Sequence, residues 1–152
     1  MTDCIMDEVT VHDDSDSTKA WYLNGNLRRE DGPAEEYCTG NKYWCLKGKL
    51  HREDGPAIEW SNGDKSWYLN GKLHREDGPA REYSDGSKYW YLNGKQHRED
   101  GPAVEYSDGS KSWYLNEKRL TEEEFNKRMT PTVEMTMAEI NEALGKNVKV
   151  VE

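Results

Sequence analysis

The chain has 152 residues, 34% hydrophobic and 34% charged, with one Phe against six Trp and nine Tyr; that is room for one modest domain but too little aliphatic side chain for a thick core. No apolar run approaches the roughly 18 to 20 residues of a membrane-spanning helix, and Met1-Thr2-Asp3-Cys4-Ile5-Met6-Asp7-Glu8 carries no basic region or cleavable apolar stretch, so the chain is expected to stay in the cytoplasm. The formal charge of -9 argues against nucleic acid and membrane as partners, since both attract positive surfaces.

That charge is unevenly placed. Residues 1 to 18 hold six acids and no bases, residues 19 to 120 hold 17 of each, and residues 121 to 152 hold seven acids against four bases. Three segments follow: an acidic N-terminal segment over 1 to 18 with a degenerate edge strand at Val9-Thr10-Val11, a neutral repeat sheet over 19 to 120, and a tail over 121 to 152. Neutrality of the middle segment admits an anionic ligand there but rules against a polybasic nucleic-acid groove.

The middle segment is a repeat, because Trp21, Trp44, Trp67, Trp90 and Trp113 recur every 23 residues. Arg-Glu-Asp-Gly-Pro-Ala is identical in four copies, at 29 to 34, 52 to 57, 75 to 80 and 98 to 103. Asn70-Gly71, Asp85-Gly86, Asn93-Gly94 and Asp108-Gly109 each suit a two-residue type I′ turn, which needs positive φ at both central residues. With Asp85-Gly86 as such a turn, Ser84 pairs with Ser87, Tyr83 with Lys88, Glu82 with Tyr89 and Arg81 with Trp90. Alternation then puts Trp90, Leu92 and Tyr83 on a buried face, and Tyr91, Ala80 and Glu82 on the other. Asp-Gly-Pro cannot continue a central strand, because Pro lacks the amide donor, so it is read as the corner into the next strand. Each unit supplies about two strands, giving a mainly β fold: an elongated antiparallel meander of 23-residue hairpin repeats, closed by a C-terminal helical cap and a short strand.

In the tail, Thr121 and Glu124 form a capping box and Glu122, Glu123 and Glu124 suit a helix N-terminus, which predicts a helix to about Met129, ahead of Pro131. Thr136 with Glu139, then Ile140, Leu144 and Gly145, signal a second helix, and Val148, Val150 and Val151 a strand. The helical tail is read as a cap on the exposed sheet edge rather than a separate contact element. Cys38 and Cys45 replace Ser or Tyr of other copies and read as reduced, tolerated substitutions without a metal or catalytic role.

The unit Trp-Tyr-Leu-Asn-Gly-Lys-x-His-Arg-Glu-Asp-Gly-Pro-Ala-x-Glu-Tyr-Ser-Asp-Gly-Ser-Lys resembles the MORN-variant repeat of bacterial and bacteriophage proteins over residues 19 to 120. The resemblance implies an antiparallel meander of hairpins. It also implies a family in which some members look like antitoxins and more distant relatives bind proteins or phosphoinositides. If the source is viral, the expected location becomes the host cytoplasm.

His51, His74 and His97 invite a metal reading, but copies about 10 Å apart along a sheet cannot share one ion whose ligands lie within about 2.1 Å. The corner arginines are expected to pair with Glu or Asp of the next unit. No nucleophile elbow, phosphate loop or paired-cysteine spacing occurs, so neither enzyme activity nor a cofactor is expected. Tyr22, Tyr68, Tyr91 and Tyr114 form a row opposite the tryptophans. The residues expected to meet a partner or ligand are His51, Arg52, His74, Arg75, His97 and Arg98 at the corners, with Tyr68, Tyr91 and Tyr114. These favour a non-enzymatic protein-binding module; what the resemblance adds is a phage or mobile-element source, in which the partner would be a host defence or toxin protein that the chain inhibits. The alternative is a binder that sequesters a small anionic nucleotide at the repeated Arg, His and Tyr sites. Self-association through the sheet edge or the tail is a further expectation.

Overall fold

The computed structural model describes residues 18–29 and 31–130, the backbone of 9–13, and two helical positions, Glu139 and Glu142. The rest of the second helix and the strand expected over 148–151 lie outside the described residues. What is described is mainly β: a long, meander-like antiparallel sheet followed by one helix, with no closed barrel among the described residues. No helix among them is long and apolar enough to cross a membrane.

The main sheet has twelve strands. It begins at the edge strand Val9–Asp13, paired with Lys19–Leu23, and then takes two short strands from each unit. In the third unit these are Lys65–Ser66 and Arg81–Glu82, and in the fourth Lys88–Tyr89 and Val104–Glu105. Each repeat also makes a small hairpin beside the main sheet, such as Tyr68–Leu69 with Lys72–Leu73. Two strands per unit are therefore correct for the main sheet, and the second hairpin stands in a row of its own.

The two glycine turns differ. Asn70 and Gly71 both have positive φ, at 51° and 80°, as a type I′ turn requires. At Asp85-Gly86 only Gly86 is left-handed, at φ 93°, and Arg81 pairs with Tyr89 and Glu82 with Lys88. The Gly86 amide donates to Tyr83 O and the Tyr83 amide to Ser87 O, so three residues form the loop rather than two. The expected register is therefore off by one residue, and a one-residue slip changes which side chains share a face.

The true register sorts the sheet into two unlike faces. On one face a row of directly paired residues alternates in sign: Lys19, Glu36, Lys42, Glu59, Lys65, Glu82, Lys88, Glu105, Lys111. Beside it runs a row in which each Trp alternates with Ala. Trp44 N–H donates to Ala57 O, Trp67 N–H to Ala80 O and Trp90 N–H to Ala103 O, each at 2.8 Å. Ala34, Ala57, Ala80 and Ala103 have no exposed surface, whereas the tryptophans are half-buried. The full burial assigned to Trp thus belongs to the alanines between them. Ala80 and Glu82 lie on the Trp side and Tyr83 lies on the other, reversing their expected placement.

At the C-terminal end Thr121 caps the helix Glu122–Met129, with both bonds of the capping box to Glu124 in place. Phe125 and Leu120 are buried where this helix packs on the last hairpin, Lys111–Leu115 with Lys118–Leu120.

Candidate functional site

Each corner arginine is held within its own unit. Arg75 donates from Nε to Asp77 Oδ1 at 2.9 Å, and from one terminal nitrogen to Pro79 O at 3.3 Å and Glu82 Oε1 at 2.9 Å. Its guanidinium lies 4.1 Å from the centre of the Trp67 ring. Arg52 and Arg98 repeat the arrangement on Trp44 and Trp90, at 4.1 and 4.0 Å. Among the described residues no corner arginine pairs with an acid of the next unit, as the sequence suggested it would. The corner glycine is explained by the same packing: a Cβ on Gly78 would come within 3.0 Å of Arg75 Cζ, and one on Gly55 within 2.9 Å of Arg52 Cζ. The bond from Arg75, helped by its charge, holds the Asp77 carboxyl below its ordinary range, and Asp54 and Asp100 behave alike.

The histidines tie neighbouring units. Nδ1 of His51, His74 and His97 accepts the backbone N–H of Asn70, Asn93 and Asn116, each at 3.1 Å. The acceptor role leaves the ring proton on Nε2, which lies 3.6, 3.7 and 3.4 Å from Glu53, Glu76 and Glu99. Between successive corners lie open clefts of about 610, 540 and 640 Å³; the last is lined by Arg75, Glu76, Asp77, Trp90, His97 and Arg98. The structure therefore does bring the histidines and arginines together in pairs of adjacent copies. Nε and one terminal nitrogen of each of these arginines, and Nδ1 of each histidine, are however already engaged, and carboxylates line the same walls. Among the described residues no three His, Cys, Asp or Glu side chains converge as metal ligands.

The opposite face carries the other candidates. Its central row of paired residues reads Ala20, Glu35, Tyr43, Ile58, Ser66, Arg81, Tyr89, Val104, Ser112. Alternation adds Tyr22, Tyr68, Tyr91 and Tyr114 on one flank and Tyr37, Trp60, Tyr83 and Tyr106 on the other. Tyr37, Tyr83 and Tyr106 are 38, 36 and 42% exposed, and Tyr68, Tyr91 and Tyr114 are half-buried. Rings meet edge to face, Tyr83 with Tyr89 at 5.3 Å and Tyr89 with Tyr106 at 5.9 Å.

Two charges stand among these rings. Arg81 donates to the hydroxyls of Tyr83 at 3.3 Å and Tyr68 at 3.5 Å, while its buried Nε has no partner. Glu35 is raised above the ordinary carboxylate range by burial, against an opposing bond from Tyr37. Burial and the nearby Glu35 push the Cys45 thiol up to about 11, so it stays protonated and unreactive. Sequence reasoning found Tyr68, Tyr91 and Tyr114 but missed Arg81, Tyr83 and Tyr106, because the turn was assigned two residues. Thr39, at the position of Asp85, was the available clue: a β-branched residue resists the left-handed conformation that a type I′ turn would impose.

Compared with known proteins, the chain matches no protein-family model and no curated protein.

Proposed function

We propose that this chain is a non-enzymatic protein-binding repeat module that docks its partner on the tyrosine face. The observation that carries this is the asymmetry of the sheet. One face spends its polar groups on internal arginine corners and a Lys/Glu ladder, while the other presents Tyr37, Tyr83 and Tyr106, each over a third exposed, with the half-buried Arg81 beside Tyr83. Tyr and Arg are the residue types that most often anchor protein interfaces. The resemblance to MORN-variant phage repeats points to a host defence or toxin protein as the target. A stoichiometric partner captured from host lysate by the intact chain, and lost with Tyr83→Ser plus Tyr106→Ser but not with Lys72→Ser in the side row, is the expected result. Absence of such a partner, or capture indifferent to the tyrosine changes, counts against the reading.

The second reading places an anionic nucleotide in the repeated clefts, which adjacent Arg and His pairs line. It requires the ligand to displace Asp and Glu from guanidiniums already held at 2.8 to 3.2 Å. Calorimetry against a nucleotide panel tests it, and equal heats from several equivalent sites would favour it over the first.

A further inference from the structure

The three corner clefts differ in charge. Between the second and third corners the walls hold four carboxylates, Glu53, Asp54, Glu76 and Asp77, against two guanidiniums, Arg52 and Arg75. The next cleft sets Glu76, Asp77, Glu99 and Asp100 against Arg75 and Arg98. With its histidine neutral, each is two charges negative. Among its described lining residues the first cleft is positive by one, with Arg28, Arg29 and Arg52 against Asp31 and Asp54. Two neighbouring acidic clefts thus follow a basic one. The acids are also the accessible part of the walls: the side chains of Glu53, Glu76 and Glu99 are 85, 85 and 75% exposed, and those of Arg52, Arg75 and Arg98 only 23, 23 and 19%. Trp67 and Leu69 in one cleft, and Trp90, Leu92 and Pro79 in the other, supply an apolar wall. Lys72 and Lys95, in the side hairpins, stand outside both linings.

We infer that the two acidic clefts bind a basic, extended segment of a partner protein, each taking one Lys or Arg side chain. This surface is additional to the tyrosine face, since tryptophans wall the clefts. Charge decides for a cation. An anion must displace acids from guanidiniums already stacked and bonded, whereas a cation meets a surplus of carboxylate. Asp77 accepts the Arg75 bond at Oδ1, and Glu76 lies 3.7 Å from His74 Nε2, while each carboxylate has two oxygens to accept with. The aliphatic stem of a Lys or Arg can lie along the Trp and Leu wall with its charged head among the rim acids. Spacing decides the backbone. The clefts share the wall Arg75-Glu76-Asp77 and follow the two-strand period of about 9.6 Å. Three residues of a polyproline II helix advance about 9.3 Å and return the side chain to the same side, whereas in a strand residues three apart point to opposite sides. The segment therefore carries Lys or Arg at every third residue in polyproline II conformation. One exposed ion pair is weak, so affinity comes from engaging both clefts on one chain.

Calorimetry of the full chain at low salt tests this with a synthetic peptide of four Lys-Pro-Pro repeats. Two peptides serve as controls: four Glu-Pro-Pro repeats, and the first composition rearranged with its four lysines consecutive. The regular lysine peptide is expected to bind, the glutamate peptide not at all, and the rearranged one about tenfold more weakly, because its lysines cannot reach both clefts from one face. Glu76 lines both clefts and Glu99 the second, so Glu76→Gln with Glu99→Gln is expected to weaken binding about tenfold. Glu122→Gln with Glu123→Gln removes the same charge from the terminal helix and is expected to change nothing beyond a small shift common to all the peptides. No heat with the regular lysine peptide, equal affinity for the rearranged one, or equal loss from the helix pair would each overturn the inference, the last two by reducing it to attraction for an acidic chain. Binding of the glutamate peptide would also overturn it, and would favour an anion in the clefts. Tyr83→Ser with Tyr106→Ser is expected to leave the peptide affinity unchanged; a loss there would place the peptide on the tyrosine face and overturn the assignment to the clefts. If the tyrosine face captures no partner while the lysine peptide binds as described, only the docking reading falls.

Discussion

At the residue scale the repeat is organised around arginine. The side chain of Arg75 is 23% exposed and simultaneously serves Asp77, Glu82, a carbonyl and a Trp face. Only a planar fork can do all four, so Arg75→Lys, which keeps the charge, is expected to cost about 1 to 3 kcal/mol, read by urea unfolding. An equal loss from Lys72→Ala, outside the corner, would show that the fork has no special part. The corner aspartates add a pH dependence. Asp54, Asp77 and Asp100 have folded pKa values below their ordinary 3.8, mainly through the arginine bonds, and Asp64 through the Ser84 amide. A depressed carboxyl contributes stability that is present above pH 3.8 and lost as pH falls through the folded value. Glu35, raised by burial, works in the opposite sense, weakening the fold as pH rises through its folded value. With four or more depressed acids against one raised, the melting temperature is expected to hold above pH 4 and fall below it, and Arg75→Lys is expected to flatten that fall.

At the scale of the element, turns decide which side chains meet. The type I′ turns were legible because Asn-Gly satisfies two left-handed positions by itself, and the terminal helix because Thr121 and Glu124 are local partners. The three-residue loops were not, since Asp85-Gly86 has the same composition as a type I′ turn and only tertiary pairing separates them. The inter-unit histidine bond was equally hidden, because it joins residues 19 apart through a backbone donor that carries no sequence mark. Glu117 offers a test of turn physics. It occupies the glycine position of the last type I′ turn at φ 68°, and its amide still reaches Gln96 O at 2.9 Å. Left-handed backbone costs a non-glycine L-residue about 1 to 2 kcal/mol, so Glu117→Gly is expected to stabilise the protein by about 1 kcal/mol in urea unfolding. A neutral or destabilising result would mean that the Glu117 side chain contributes something its turn geometry does not reveal.

For the whole molecule, the 23-residue period specified a meander, and the neutral balance of 17 acids and 17 bases over 19 to 120 takes form as a strictly alternating ladder on one face. Faces were harder to read than strands, because a single slipped residue exchanges them. Such an array is expected to tolerate loss of a whole unit, since each unit mainly contacts its neighbours. Deleting 65–87 joins Asp64 to Lys88, and Asp64 then faces the Ser107 amide as it now faces Ser84 at 2.7 Å. Deleting 88–110 joins Ser87 to Lys111 with equal loss of length. Both shortened chains are expected to unfold cooperatively with a urea m value lower by roughly one fifth, in proportion to the surface removed. Deletion of 65–76 alone removes one main-sheet strand and one side hairpin, inverts the direction in which every later strand would have to run, and is expected to prevent folding.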